Sequence, residues 1–199
     1  MRKTIFPVLF IISFLLIIIY QIGCSRNEEN KELSGEELVE RGEFLVEFGG
    51  CHDCHSPKNM TDMGPMPDST RALSGHPAGT QLPPVDTSVT NSKWYHGSMD
   101  LTAWVGPWGV SYAANLTPDG PTGLGNWTEE IFIKAMRSGK HMGFGRPILP
   151  PMPWFNLANI PDEDLRAIFS YLKSLKPIKN QVPPPVPPNM VAQTFNPQK

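Results

Sequence analysis

Gly49-Gly50-Cys51-His52-Asp53-Cys54-His55 is the stretch on which the reading of this 199-residue chain turns. Cys51 and Cys54 stand about one helical turn apart, so a helix would present both thiols on one side, with His55 next in line. C-x-x-C-H is the attachment spacing of a c-type haem. Two thiols so spaced can add across the two vinyl groups of one porphyrin. The following histidine then lies beneath the iron and donates an axial nitrogen. Cys51 and Cys54 are therefore candidate covalent haem anchors, and His55 a candidate ligand of the haem iron. A zinc site would need two further ligands that only histidines remain to supply. A thioredoxin-like pair would want a βαβ setting, which is absent, and a structural disulfide would use the two thiols alone. Short C-x-x-C-H matches also arise by chance, so the surroundings must agree.

Upstream they do. Ser34-Gly35-Glu36-Glu37 has the spacing of a capping box. Leu38, Val39, Leu45 and Val46 then recur at helical intervals, with Phe44 and Phe48 broadening the apolar face. Gly49-Gly50 stops this helix directly before Cys51. Gly42 is costly inside a helix, and a close crossing by another helix would explain it.

Downstream, residues 56–126 show no convincing periodicity and are dense in Pro, Gly, Thr and Asn, with Trp94, Trp104 and Trp108 spaced through them. Three tryptophans do not suit a disordered chain, so the segment reads as an ordered wrap around something bulky. Asn126-Trp127-Thr128-Glu129 opens a second helix with Ile131, Phe132, Ala135 and Met136 on one face and Gly139 as its stop. A third helix begins at Pro161, carries Asp162, Glu163 and Asp164 in its first turn, buries Leu165, Ile168, Phe169, Leu172 and Leu175, and ends at Pro177. Val182 to Pro188 is polyproline-like and is expected on the surface.

The charge balance of 17 basic against 19 acidic residues lacks the basic face that nucleic-acid binding needs. With 22 prolines and 17 glycines the chain should be rich in loops and poor in strands. Arg2 and Lys3, the apolar run from Ile5 to Tyr20, and Gln21-Ile22-Gly23-Cys24 have the order of an export signal. A cysteine after Gly23 resembles a bacterial lipobox, although Gln21 stands where that motif has Leu. The expectation is a signal peptide over 1–23, lipid on Cys24 and a flexible tether over 24–33. The alternative is an uncleaved N-terminal membrane helix. Either reading puts the domain outside the cytoplasm, facing the periplasm or the cell surface and anchored to a membrane, with residues 34–180 as a mono-haem domain and 181–199 as a proline-rich tail. The three cysteines are then all used, two for haem and one for lipid.

A second axial ligand has to come from elsewhere, as Met or His. Downstream candidates are His76, His96, Met99, Met136, His141, Met142 and Met152. Met136 falls on the apolar face of a helix and reads as core. Met152 stands in Ile148-Leu149-Pro150-Pro151-Met152-Pro153-Trp154, where prolines stiffen the loop and favour it as ligand. The three free histidines read most simply as surface imidazoles. Trp108, Trp127 and Trp154 read as core packing or as ring N–H donors to a haem propionate, and Asn115 and Arg146 as propionate or loop hydrogen-bonders.

The order of these pieces resembles class I-type cytochrome c domains. Asn115-Leu116-Thr117-Pro118-Asp119, Gly123-Leu124-Gly125-Asn126-Trp127, Met152-Pro153-Trp154 and the terminal Asp162 to Leu175 helix carry the likeness, which covers residues 41 to 180. It is similar in particular to the cytochrome subunits of periplasmic alcohol and sugar-acid dehydrogenases. The resemblance implies an all-α cytochrome c fold of about three main helices around one haem, with the first and last helices crossing so that Gly42 admits Phe169 or Tyr171. It also implies that Met152 is the second axial ligand of the haem iron. Those subunits often carry three haem domains, whereas a single C-x-x-C-H here implies one haem c. The expected role is single-electron transfer by a membrane-tethered c-type cytochrome between a periplasmic dehydrogenase or respiratory complex and an acceptor, without catalysis of its own. The rival roles are a haem enzyme subunit, peroxidase-like or sulfur-oxidising, which would need an open iron, and a haem gas sensor, which would need a displaceable Met152.

Overall fold

The computed structural model describes residues 33–196. The expectations for the signal segment and Cys24 fall outside the described residues.

Helix α1 runs over Gly35–Phe48, and both halves of the capping box form: the Ser34 side chain accepts from Glu37 N–H while the Glu37 carboxylate accepts from Ser34 N–H. Its end is closed by Gly49, whose N–H returns to the Leu45 carbonyl at 2.9 Å. Gly50, with φ +64°, turns the chain into the short helix α2, Cys51–His55; a left-handed residue is what glycine accepts at no steric cost. Helix α3, Glu129–Ser138, starts at the Thr128 cap and stops at left-handed Gly139. The turn α4 spans Trp154–Leu157 and α5 spans Asp162–Ser174. The last short helix, α6, is Val191–Phe195.

The expected crossing of α1 and α5 is present. A Cβ on Gly42 would stand 2.6 Å from the Ala167 carbonyl carbon and 2.7 Å from the Tyr171 Cβ, so only a bare backbone fits. Tyr171 is thus one of the two partners anticipated. Ala167 takes the place of Phe169, whose ring instead meets Phe132 with centroids 5.3 Å apart. Arg41 Nε donates to Asp164 Oδ1 at 2.9 Å across the same crossing. The core beneath it gathers Val46, Leu73, Leu124, Phe132, Ala135, Met136, Leu165, Ile168, Phe169 and Leu172.

The fold is not plainly all-α. Residues 58–67 form a two-stranded antiparallel hairpin, β1 Lys58–Thr61 with β2 Gly64–Pro67. A three-stranded antiparallel sheet joins β3 His96–Gly97, β4 Ala103–Gly106 and β5 Gly109–Tyr112. Gly106 pairs with Gly109, so Pro107 and Trp108 make a two-residue turn, with Gly109 at φ +91°. These strands are two to four residues long, too short to establish an alternation in sequence. The expected wrap over 56–126 is ordered, but as sheet as well as loop.

A second, smaller core lies under the sheet: Val89, Val105, Val110 and Val191, with Val85, Tyr112, Val186 and Phe195 against it. The proline-rich tail does run over the surface, and it is pinned there. Val186 exchanges two backbone hydrogen bonds with Val110, at 2.8 and 2.9 Å, and Val191 is fully buried. Among the described residues no helix is long and apolar enough to cross a membrane.

Candidate functional site

Helix α2 presents the C-x-x-C-H residues from a turn held by distant parts of the chain. His55 is buried, and its Nδ1 lies 2.8 Å from the Ala114 carbonyl oxygen. A carbonyl can only accept, so Nδ1 carries the proton and Nε2 keeps a free lone pair. That is the tautomer a metal-ligating imidazole needs, fixed by its outer partner. Burial lowers the His55 pKa, opposed by the carbonyl hydrogen bond, and keeps the ring in its neutral, ligating form.

The backbone around it is tied three ways. Gly75 N–H donates to the His55 carbonyl at 2.7 Å, and Leu73 N–H to Ser56 Oγ at 3.0 Å. Lys58 Nζ donates to the carbonyls of Asp53, Ser56 and Asp100 at 2.6, 2.9 and 3.0 Å, capping the end of α2 with a positive charge.

Cys51 and Cys54 are free thiols, each partly buried. Burial pushes the Cys51 thiol up to about 11 and raises Cys54 as well, so both rest protonated near neutral pH. Cys51 packs against the helical core, in company with Leu116, Trp127, Ile148, Met152 and Leu157. The structure thus brings Met152 to the same apolar cluster as Cys51.

The other axial candidates go elsewhere. Met136 is core, as expected from its helical face. Met99 is 73% exposed. Met142 is half-buried on a tight turn at φ +55°. His96 and His141 are exposed imidazoles, as anticipated, and the His141 and Trp127 rings meet at right angles, 5.2 Å between centroids. His76 corrects the surface reading. It is 1% exposed, its Nδ1 lies 2.7 Å from Thr102 Oγ1, and its ring packs against Tyr112 at 4.9 Å. Thr102 donates its own hydroxyl proton to Asp100 at 2.7 Å, so His76 Nδ1 must be the donor. An Asp/Ser/Thr cluster twenty-odd residues away gave no local sign that it would enclose this ring.

Asn115 takes the loop role of the two expected for it. Its carbonyl oxygen accepts from Thr117 N–H and hydroxyl at 3.0 and 2.7 Å, and its amide donates to Ile178 O at 2.8 Å and Thr122 Oγ1 at 3.2 Å. Arg146 donates to the Pro147 carbonyl at 3.1 Å. Trp154 covers Gly139, where a Cβ would meet the indole within 2.7 Å. Trp108 donates its ring N–H to Ser111 Oγ at 3.1 Å. Sequence reasoning missed Ser111 and Lys58, because what they bind is backbone carbonyl.

A buried, carbonyl-oriented imidazole following two one-turn-spaced thiols defines the class of c-type cytochromes, and the comparisons agree. Over most of its length the chain is homologous to the cytochrome c subunits of alcohol and gluconate dehydrogenases, and over a shorter stretch to that of a fructose dehydrogenase, at modest identity. It is 29% identical over 147 residues, 73% of this chain, to the cytochrome c subunit of the quinone-type alcohol dehydrogenase of Gluconobacter oxydans, covering 23% of that protein. It is 30% identical over 138 residues, 69% of this chain, to the gluconate 2-dehydrogenase cytochrome c subunit of Pantoea cypripedii, again covering 23% of it. With the fructose dehydrogenase cytochrome subunit of Gluconobacter japonicus the identity is 35% over 85 residues, 40% of this chain and 17% of that one. The chain therefore spans less than a quarter of the length of these relatives. No protein-family model matches it.

Proposed function

We propose that the chain carries one haem c, bound through thioethers to Cys51 and Cys54 and ligated by His55 and Met152, and that it passes single electrons between redox proteins. The observation that carries this reading is His55: buried, with Nδ1 committed to the Ala114 carbonyl, on the turn that holds both thiols. The donor set fits haem, since it combines two thiols in protonated form, a neutral imidazole and a thioether beside an apolar cluster. When bound, haem supplies a one-electron iron couple. The protein's part is to hold the imidazole in one tautomer, keep water from the apolar side, and present a soft thioether that favours the ferrous state.

With both axial positions taken by the protein, no coordination site remains for a substrate. That supports a carrier rather than a catalyst. The relatives' names support a dehydrogenase as donor; the acceptor proposed is an oxidase or another cytochrome. Export, with lipid on Cys24 as the tether to a membrane facing the periplasm, completes the proposal and rests on the charge, apolar run and cysteine order of residues 1–24.

Denatured protein should keep its pigment through acid–acetone extraction, and Cys51→Ala with Cys54→Ala should lose it. Met152→Ala should remove the near-infrared methionine–iron band and open the reduced protein to carbon monoxide. Rapid carbon monoxide binding by the unaltered protein would overturn the carrier reading. Cys24→Ser should abolish lipid labelling, and persistence of the label would overturn the tether.

A further inference from the structure

Residues 147–153 contain Pro147, Pro150, Pro151 and Pro153, which leaves backbone N–H groups only at Ile148, Leu149 and Met152. Such a segment has little means of tying itself by its own donors. Its carbonyls must be held from outside. At one end Ile148 N–H reaches Gly139 O at 2.8 Å. Next to Met152 the donor comes from the sheet: Ser111 Oγ donates to the Pro150 carbonyl at 2.6 Å. The same hydroxyl accepts from the Trp108 ring N–H at 3.1 Å, so indole, hydroxyl and carbonyl form one directed chain in which each bond polarises the next.

The base of this chain is rigid. Ser111 is 7% exposed and pairs with Trp104 in the β4–β5 ladder. Trp108 is clamped between Tyr95, at 5.8 Å, and Gly106, where a Cβ would come within 2.7 Å of the indole. The neighbouring residue Val110 is tied to Val186.

We propose that Ser111, backed by Trp108, is a positioning residue for the second axial ligand: the hairpin turn braces the proline-rich loop so that the Met152 sulfur stays on the iron. This rests on the assignment of Met152 as ligand given above. The brace acts on the balance between a closed loop, with sulfur bound, and an open one that an external ligand can enter. An added ligand binds more tightly in proportion to the open fraction.

Imidazole titration of the oxidised, haem-loaded full-length protein reads that balance. Loss of one such hydrogen bond should raise imidazole affinity about fivefold to tenfold in Ser111→Ala. Ser111→Thr, which keeps the hydroxyl, should return it to within about twofold, and Trp108→Phe should give a smaller rise of about twofold to threefold. The potential of Ser111→Ala should fall as sulfur ligation weakens. Ser98→Ala removes a hydroxyl from the turn between β3 and β4, one bonded to Asp100 at 2.6 Å, and should leave imidazole affinity unchanged. Equal affinities for Ser111→Ala and the unaltered protein overturn the proposal, as does an equal rise in Ser98→Ala, which would mean that loosening the sheet anywhere suffices. If Met152→Ala retains the methionine–iron band, the ligand assignment itself is wrong, whatever Ser111 does.

Discussion

Around Cys51 most of the core side chains are carried on helices: Leu165 and Val46 are fully buried, and the Phe132 and Phe169 rings pack together. Under the three-stranded sheet the core is four valines, Val89, Val105, Val110 and Val191, gathered from three separate segments of chain. The two regions differ in what each residue contributes and in how far along the chain its partners lie. In the helical region, periodic faces built by local hydrogen bonding meet along α1, α3 and α5. In the sheet region, strands of two to four residues and a C-terminal tail have to meet before any one of them buries much. One region holds the C-x-x-C-H turn; the other carries Ser111, which donates to the Pro150 carbonyl of the Met152 loop. On the function proposed above, haem attachment and ligand retention fall in different regions, so damage to one need not copy damage to the other.

The sharpest way to break the comparison is at Gly42. Gly42→Val forces apart α1 and α5, where the opposing atoms are backbone and cannot rotate aside. The expected loss is about 3 kcal/mol or more, read as a collapse of the urea midpoint and of haem incorporation together. Leu165→Ala should cost about 2–5 kcal/mol for the cavity left in the helical core. Val191→Ala removes two carbons from the smaller core and should cost about 1.6 kcal/mol. In proteolysis it should expose the tail and the sheet while the C-x-x-C-H turn stays protected. Equal protection losses in both regions for Val191→Ala would show that the two cores unfold as one.

His76 supplies the pH-dependent test, since it joins the segment tied to His55 to the Asp100–Thr102 corner of the sheet. The charged and titratable groups facing it are Asp100, through Thr102, and Tyr112. Burial lowers its pKa, partly offset by Asp100. A neutral folded histidine binds fewer protons than the unfolded one, so stability is complete above the ordinary value of about 6.5 and declines as pH falls below it. Denaturation followed from pH 8 to 5 should show this slope in the unaltered protein and a flatter one in His76→Gln. The smallest effect is expected at the exposed capping box. Ser34→Ala should cost about 1 kcal/mol, with no change in the methionine–iron band.

The sequence reading and the structure part company along the same line. Ser34, Gly49 and Pro161 marked helix starts and a stop, because caps depend on neighbours a few residues away, while Gly42 marked the crossing by being costly inside a helix, with its partners Ala167 and Tyr171 far along the chain. The sheet escaped notice because β4 and β5 are four residues each and their turn, Pro107-Trp108, lacks the usual Asn-Gly signal. His76 was misread for a related reason. An isolated histidine carries no periodicity, and its burial was decided by Thr102 and Asp100, brought over by a different loop.

Taken alone, the sequence determined the thiol pair, the adjacent histidine, the three main helices and the prolines that leave the loop around Met152 few donors of its own. All of these follow from covalent spacing, from side-chain repeats within one or two turns, or from proline. Only the tertiary structure decided that Ala114, 59 residues on, orients His55, and that Ser111, 39 residues before, holds Pro150. In both cases the acceptor is a backbone carbonyl. Every residue carries one, so the chemistry that completes the site has no letter of its own in the sequence, and only folding assigns it a partner.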